Sequence, residues 1–258
     1  MKLIDIGCNL CSKSLLNNYQ EIIREANNYG VSEIIITGSD KFSNEKGLEL
    51  SLVEENLYST VGFHPHHAND WKSSFIPAHL LLLQHKKILA VGETGLDYFR
   101  NFALAANQKK CFINQIEIAS EVQKPLFLHE RNAFTDFRRI LETNRAKFTN
   151  AVWHCFTGDK YQLEWAISQD FYIGITGWIC DPSRGENLRE IVKFIPENKL
   201  LIETDAPYLA PKNLSPTPKI NKPEYLPEVL KMIAKCREED ENILAEKIYQ
   251  NTKLFFNF

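Results

Sequence analysis

Eight short apolar runs rich in Ile, Leu and Val recur along the chain, and between them lie stretches whose apolar residues fall at helical spacing. LIDIGCN at 3–9 is followed by a helical stretch at 19–29, SEIIITG at 32–38, a helix around 44–54, YSTVGFHP at 58–65 and a helix near 76–85. ILAVGE at 88–93 leads to a helix over 107–123, with Phe112, Ile116, Ala119 and Val122 in register, and to PLFLH at 125–129. A helix near 132–143, AVWHCF at 151–156, a helix at 160–168, FYIGITG at 171–177, a helix at 185–193 and KLLIETD at 199–205 complete the rhythm. Short buried strands divided by helices favour parallel βα units, and eight of them in about 250 residues is the count of a (β/α)8 TIM barrel. The Pro-rich stretch 206–227 cannot be regular helix and reads as an ordered loop over the barrel mouth, ahead of closing helices near 227–239 and 242–255. No linker and no further repeat interrupts the 258 residues, so a single TIM-barrel hydrolase domain over 1–258 is expected.

With 44% hydrophobic and 24% charged residues the chain has ample material for such a core. A net charge of −3 argues against wholesale binding of polyanions, because non-specific affinity grows with the phosphates neutralised by Lys and Arg. It leaves room for an enzyme that handles nucleic-acid ends at a metal. The six cysteines include one C-x-x-C, Cys8 and Cys11, which begins inside the first strand and has no partner motif. MKLIDIG enters a strand without a basic leader, and no apolar run approaches the roughly 20 residues that span a bilayer. A cytoplasmic protein without membrane attachment is expected; the oligomeric state is not readable from the residues.

Four of the runs end in a side chain suited to catalysis: KILAVGE in Glu93, KPLFLH in His129, AVWHCF with His154, and KLLIETD in Asp205. A barrel gathers its chemistry at the carboxyl ends of its strands. Taken singly, each has a bland reading. Glu93 could be paired with an arginine, the histidines could be hydrogen-bonded core residues, and Asp205 could cap the next element. Together, two imidazoles and carboxylates form a common catalytic metal set that leaves positions open for water and substrate. We therefore read Glu93, His129, His154 and Asp205 as candidate metal residues, with Asp205 also a candidate proton acceptor and Glu203 behind it. GFHPHH supplies His64 and His66 as candidate contacts to a substrate phosphate or a metal, with His67 as surface. Arg131 is a candidate phosphate clamp, since a guanidinium donates two parallel hydrogen bonds to phosphate oxygens. Asp97 reads as a residue that fixes a loop, and Trp178 and Tyr208 as exposed aromatics able to stack on bases.

GFHPH, GETGLDY, PLFLHER, HCFTG, YIGITGWICD and LLIETDAPYL, in this order along the whole chain, resemble the strand-end motifs of the TatD family of metal-dependent nucleases in the amidohydrolase superfamily. The resemblance implies a barrel, a divalent metal and hydrolysis of phosphodiester bonds in DNA, with Glu93, His129 and His154 as ligands and Asp205 as acid/base. Most of the family carries H-x-H at the end of the first strand; here those places are Gly7 and Asn9. A glycine and a neutral amide do not replace imidazoles, so a second metal there is expected to be weak. The same form resembles a branch for which it implies a magnesium-using 3′–5′ exonuclease of single-stranded DNA and RNA with a role in DNA repair. Manganese and zinc stand as alternatives to magnesium. Asn132 in HERNA replaces the usual acidic residue. The rival readings are another hydrolase on this scaffold, such as a deacylase of mischarged tRNA or an amidohydrolase, and a non-catalytic barrel that binds nucleic acid.

Overall fold

The computed structural model describes residues 1–258 and follows the alternation closely. Strands β1 (Leu3–Cys8), β2 (Val31–Ile36), β3 (Leu57–Val61), β4 (Ile88–Asp97), β5 (Leu126–Arg131), β6 (Ala151–Trp153), β7 (Tyr172–Ile175) and β8 (Leu200–Ile202) run in chain order in one sheet. Between and after them lie α1 (Tyr19–Asn28), α2 (Lys41–Val53), α3 (Ile76–Leu83), α4 (Ala105–Val122), α5 (Phe134–Thr143), α6 (Lys160–Ser168), α7 (Glu186–Ile191), α8 (Leu226–Arg237) and α9 (Glu241–Phe256). The fold is the expected (β/α)8 barrel.

The chain divides into two compact units, residues 1–36 with 154–258, and residues 37–153. In the second, β3 pairs parallel with β4, β4 with β5 and β5 with β6. Its core is aromatic: Phe112 of α4 stacks on Phe137 of α5 at 5.7 Å, and Phe137 lies 5.1 Å from Trp153 of β6. Asp40 caps α2 through a reciprocal bond with Ser43, which satisfies end donors the helix cannot satisfy itself. β4 runs on to Asp97, past the expected end at Glu93, and the glycines are the reason. Gly92 and Gly95 take φ of +148° and +146°, and a Cβ at either would strike the carbonyl oxygen of Phe127 or His129 on β5. Only glycine lets the two strands approach this closely.

In the first unit, β1 pairs parallel with β2, and β7 with β8. The ends of β1 and β8 meet: Asp205 N–H donates to Gly7 O at 2.8 Å and Asn9 N–H to Ala206 O at 2.7 Å. Behind them Asn251 of α9 donates to the carbonyl of Leu200, and Phe255 packs on Tyr172 at 4.7 Å. The Pro-rich segment is an irregular loop as expected, pinned where Asn221 donates to Thr204 O at 2.8 Å.

Candidate metal centre

β4 delivers two carboxylates, Glu93 and Asp97, both almost fully buried. Such groups need donors or a cation. Glu93 Oε1 lies 2.9 Å from Nδ1 of His129, which β5 places beside it, and 3.3 Å from Nε2 of His64. These three donor atoms all lie within 4.8 Å of one another. Asp97 Oδ2 lies 3.4 Å from the other nitrogen of His129 and 2.8 Å from Nε2 of His66, while its Oδ1 accepts from Arg100 N–H at 2.8 Å. Burial alone would raise the Asp97 pKa, but the bonds from His129 and His66 outweigh it and hold the carboxyl well below the usual range.

His64 sits just beyond β3, at the entrance to a short turn over Pro65–His67. Burial lowers its pKa to about 4, so the ring is neutral at pH 7. A neutral ring carries one proton, and its position is fixed here: the His66 backbone N–H donates to His64 Nδ1 at 3.0 Å, so the proton is on Nε2, facing Glu93. Ligating a metal through Nε2 would require the opposite tautomer and set two N–H groups against each other. His64 thus presents a hydrogen-bond donor at Nε2, and Glu93 and His129 form the tightest pair of the three. Their 2.9 Å separation is close to that of adjacent ligands on an octahedral ion with bonds of about 2.0–2.1 Å. With an ion on its Nδ1, His129 would direct its Nε2–H toward Asp97, the carboxylate–histidine arrangement that orients metal ligands.

Two buried glutamines of α4 hold this region by its backbone. Gln115 accepts from Phe63 N–H at 2.7 Å and donates to Phe63 O at 3.0 Å, immediately before His64. Gln108 accepts from Asp97 N–H at 2.8 Å and donates to Asp97 O at 3.0 Å. Sequence reading missed both, and a helical Gln gives no signal that separates this role from a solvated one. His66, expected at the substrate, is turned to Asp97. His67 lines a cavity of about 350 Å³ with Lys41, Phe63, Asp70 and Phe75. Arg131 lays its guanidinium 4.0 Å over the ring of Phe99.

The first unit holds His154 and Asp205, each just past a strand. His154 is buried, with Nδ1 3.3 Å from Glu203 Oε2; a carboxylate only accepts, so Nδ1 carries the proton and Nε2 is the nitrogen with the lone pair. Glu203 also accepts from the Cys155 N–H at 2.5 Å, so it stands behind the His154 imidazole. Asp205 takes φ of +55°, a left-handed conformation that aspartate tolerates better than most residues. Asn9, at the place of the absent imidazole, donates from Nδ2 to Asp205 Oδ1 at 3.0 Å. Trp178 carries the Arg184 guanidinium 4.2 Å over its ring, and Tyr208 is exposed.

Residues 4–257 match the family model of TatD-related DNases. A protein of Citrobacter rodentium named 3′–5′ ssDNA/RNA exonuclease TatD is 40% identical over 98% of this chain and 97% of its own length. The Escherichia coli K12 protein of the same name is 38% identical over 98% of each. Among solved structures, a TatD homologue from Escherichia coli K12 superposes with a TM-score of 0.91 at 26% identity, covering 99% of this chain and 98% of the other.

Proposed function

The chain belongs to the family of TatD-related DNases, and from that premise we propose that it hydrolyses phosphodiester bonds at the 3′ ends of single-stranded DNA and RNA. The observation that carries the reading is the pairing of Glu93 with His129, backed by Asp97, at the end of β4 and β5. This donor set suits a divalent ion, with Glu93 and His129 holding it. We keep for His154 the role of imidazole ligand and for Asp205 that of proton acceptor and further ligand. A bound ion supplies Lewis acidity, polarising a phosphate oxygen and making a water easier to deprotonate. Asp205, held in orientation by the Asn9 amide, takes the water's proton as the water oxygen bonds to phosphorus and returns it to the departing sugar oxygen as the ester P–O bond breaks. His64 donates a hydrogen bond from Nε2–H to the phosphate as negative charge gathers on the oxygens, and its neutrality keeps that donor in one tautomer. Arg131 offers its remaining guanidinium donors to the next phosphate.

Magnesium is the working ion in this reading, and the imidazoles widen the choice to manganese and zinc. The protein acts as one catalytic domain, a reading supported by a family match that spans nearly the whole chain. Trimming of damaged 3′ ends during DNA repair in the cytoplasm is the corresponding role. No helix is long and apolar enough to cross a membrane. The test is digestion of single- and double-stranded oligonucleotides labelled at either end, with magnesium, manganese or EDTA. Stepwise loss from 3′ ends of single strands, abolished by EDTA, is expected; aminoacyl-tRNA or simple esters cleaved in preference would overturn the reading.

A further inference from the structure

The loop that leaves β4, Tyr98–Leu104, exposes two large apolar rings where its own backbone is firmly held. Tyr98 N–H donates to Arg131 O at 2.9 Å, Arg100 N–H to Asp97, and Gln108 donates to Ala103 O at 2.8 Å. Yet Phe99 is 53% and Phe102 64% exposed. A rigid loop that holds two phenyl rings in water gives up burial that ordinary packing would provide. Both rings are also tied to the candidate metal centre. Phe102 packs edge-to-face on His66 at 4.8 Å, and His66 bonds Asp97, which bonds His129. Phe99 lies under the Arg131 guanidinium, and the Arg100 guanidinium also lies over its ring, 5.9 Å from the centre.

We propose that Phe99 and Phe102 form a stacking platform for the unpaired bases at the 3′ end of the single strand. The proposal rests on the nuclease reading and names the part of the substrate that the site recognises beyond its phosphate. Aromatic rings interleaved with arginines suit nucleotides, because a ring takes any base face and a guanidinium takes the phosphate beside it. Stacking needs a base freed from its pair, so the platform selects single strands without reading their sequence. The occupant is thus an unpaired nucleotide rather than an apolar peptide, for which two flanking cations would be a hindrance.

The experiment compares a 5′-fluorescein oligothymidylate with the same oligomer carrying abasic residues at its last two 3′ positions. Affinity is read by anisotropy in EDTA and cleavage in magnesium. The wild type is expected to bind the natural end about tenfold tighter than the abasic one, within the range of base–aromatic stacking. In Phe102→Ala, and separately in Phe99→Ala, that ratio should fall toward one; Phe102→Trp should keep it and Phe102→Leu should not. Circular dichroism confirms folding, which substitutions at exposed rings should leave intact. Equal affinity of wild type for both ends, or an unchanged ratio in Phe102→Ala and Phe99→Ala, overturns the platform even if the enzyme digests both oligomers. A wild type that discriminates the ends without cleaving either removes the nuclease reading and leaves the platform. Failure both to bind and to cleave removes both.

Discussion

Asp5 of β1 and Asp97 of β4 are each almost without solvent contact, and they behave in opposite ways. Asp5 accepts from Gly7 N–H at 3.2 Å, Thr204 N–H at 2.9 Å and the Thr204 hydroxyl, all neutral donors. Burial prevails over them and raises its pKa to about 7. Asp97 faces His66 and His129, which can carry charge, and is held ionised. Lack of solvent contact therefore does not by itself fix a carboxylate's charge; depth and donors decide it together. A neutral cradle makes Asp5 a fastening between the ends of β1 and β8. The imidazole cradle makes Asp97 part of an electrostatic site.

The sharpest way to break this contrast is to remove charge at the residues assigned to chemistry. Glu93→Gln keeps shape and loses the carboxylate, and turnover on a single-stranded oligonucleotide should fall about 10²–10³-fold, as for loss of one preorganised electrostatic group. Asp205→Asn should fall at least as far while retaining its metal content, because an amide cannot take the proton. Metal lost from Asp205→Asn would make that residue chiefly a ligand. Activity retained in Glu93→Gln would remove the metal assignment altogether.

A smaller effect is expected one contact further out. Asp97→Asn leaves the ligands in place and withdraws the charge that orients His129, so metal affinity should drop about 10–100-fold. Excess metal should restore turnover, which it cannot do for Glu93→Gln. Titration of activity against manganese distinguishes the two. Were Asp97→Asn to show the wild-type metal response, the cradle around Asp97 would be structural, like that of Asp5.

How far the sequence reveals this contrast can be judged from particular residues. The helix expected at 160–168 is α6 to the residue, and the eight strands appear where alternation places them, because periodicity reports burial directly. GETGLD misleads: its glycines and acids look like the end of a strand, whereas Gly92 and Gly95 extend β4 to Asp97. Glu93, His129 and Glu203 were legible because a polar group directly after an apolar run is anomalous. Asp97 was read only as a fixer of the loop. It does hold Arg100 N–H, but its partnership with His129 depends on register between β4 and β5 and that with His66 on the turn after β3, which no local pattern encodes. Gln108 and Gln115 were illegible for the same reason, and the tautomer of His64 depends on a single backbone donor.

The smallest expected effect is on stability and pH, and it tests the other half of the contrast. Asp5 titrates near 3.8 when unfolded and near 7 in the fold, so between about pH 4 and 7 the folded protein binds more protons at this group. Its contribution to stability is then greatest at the acid end of that window, declines as pH rises, and levels off above 7; a single group changes stability by at most about 1.4 kcal/mol per pH unit. Glu203 adds to the effect, since its charge also disfavours ionisation of Asp5. Asp5→Asn preserves the acceptor for Gly7 N–H and Thr204 N–H, offers an amide to the Thr204 hydroxyl, and cannot titrate. Urea unfolding of both proteins from pH 4.5 to 7.5 should show the wild type losing ground to the variant as pH rises, with activity at pH 7 little changed. Parallel stability curves would mean that Asp5 stays ionised through the window, and the neutral cradle would then hold a charge as firmly as the imidazoles do.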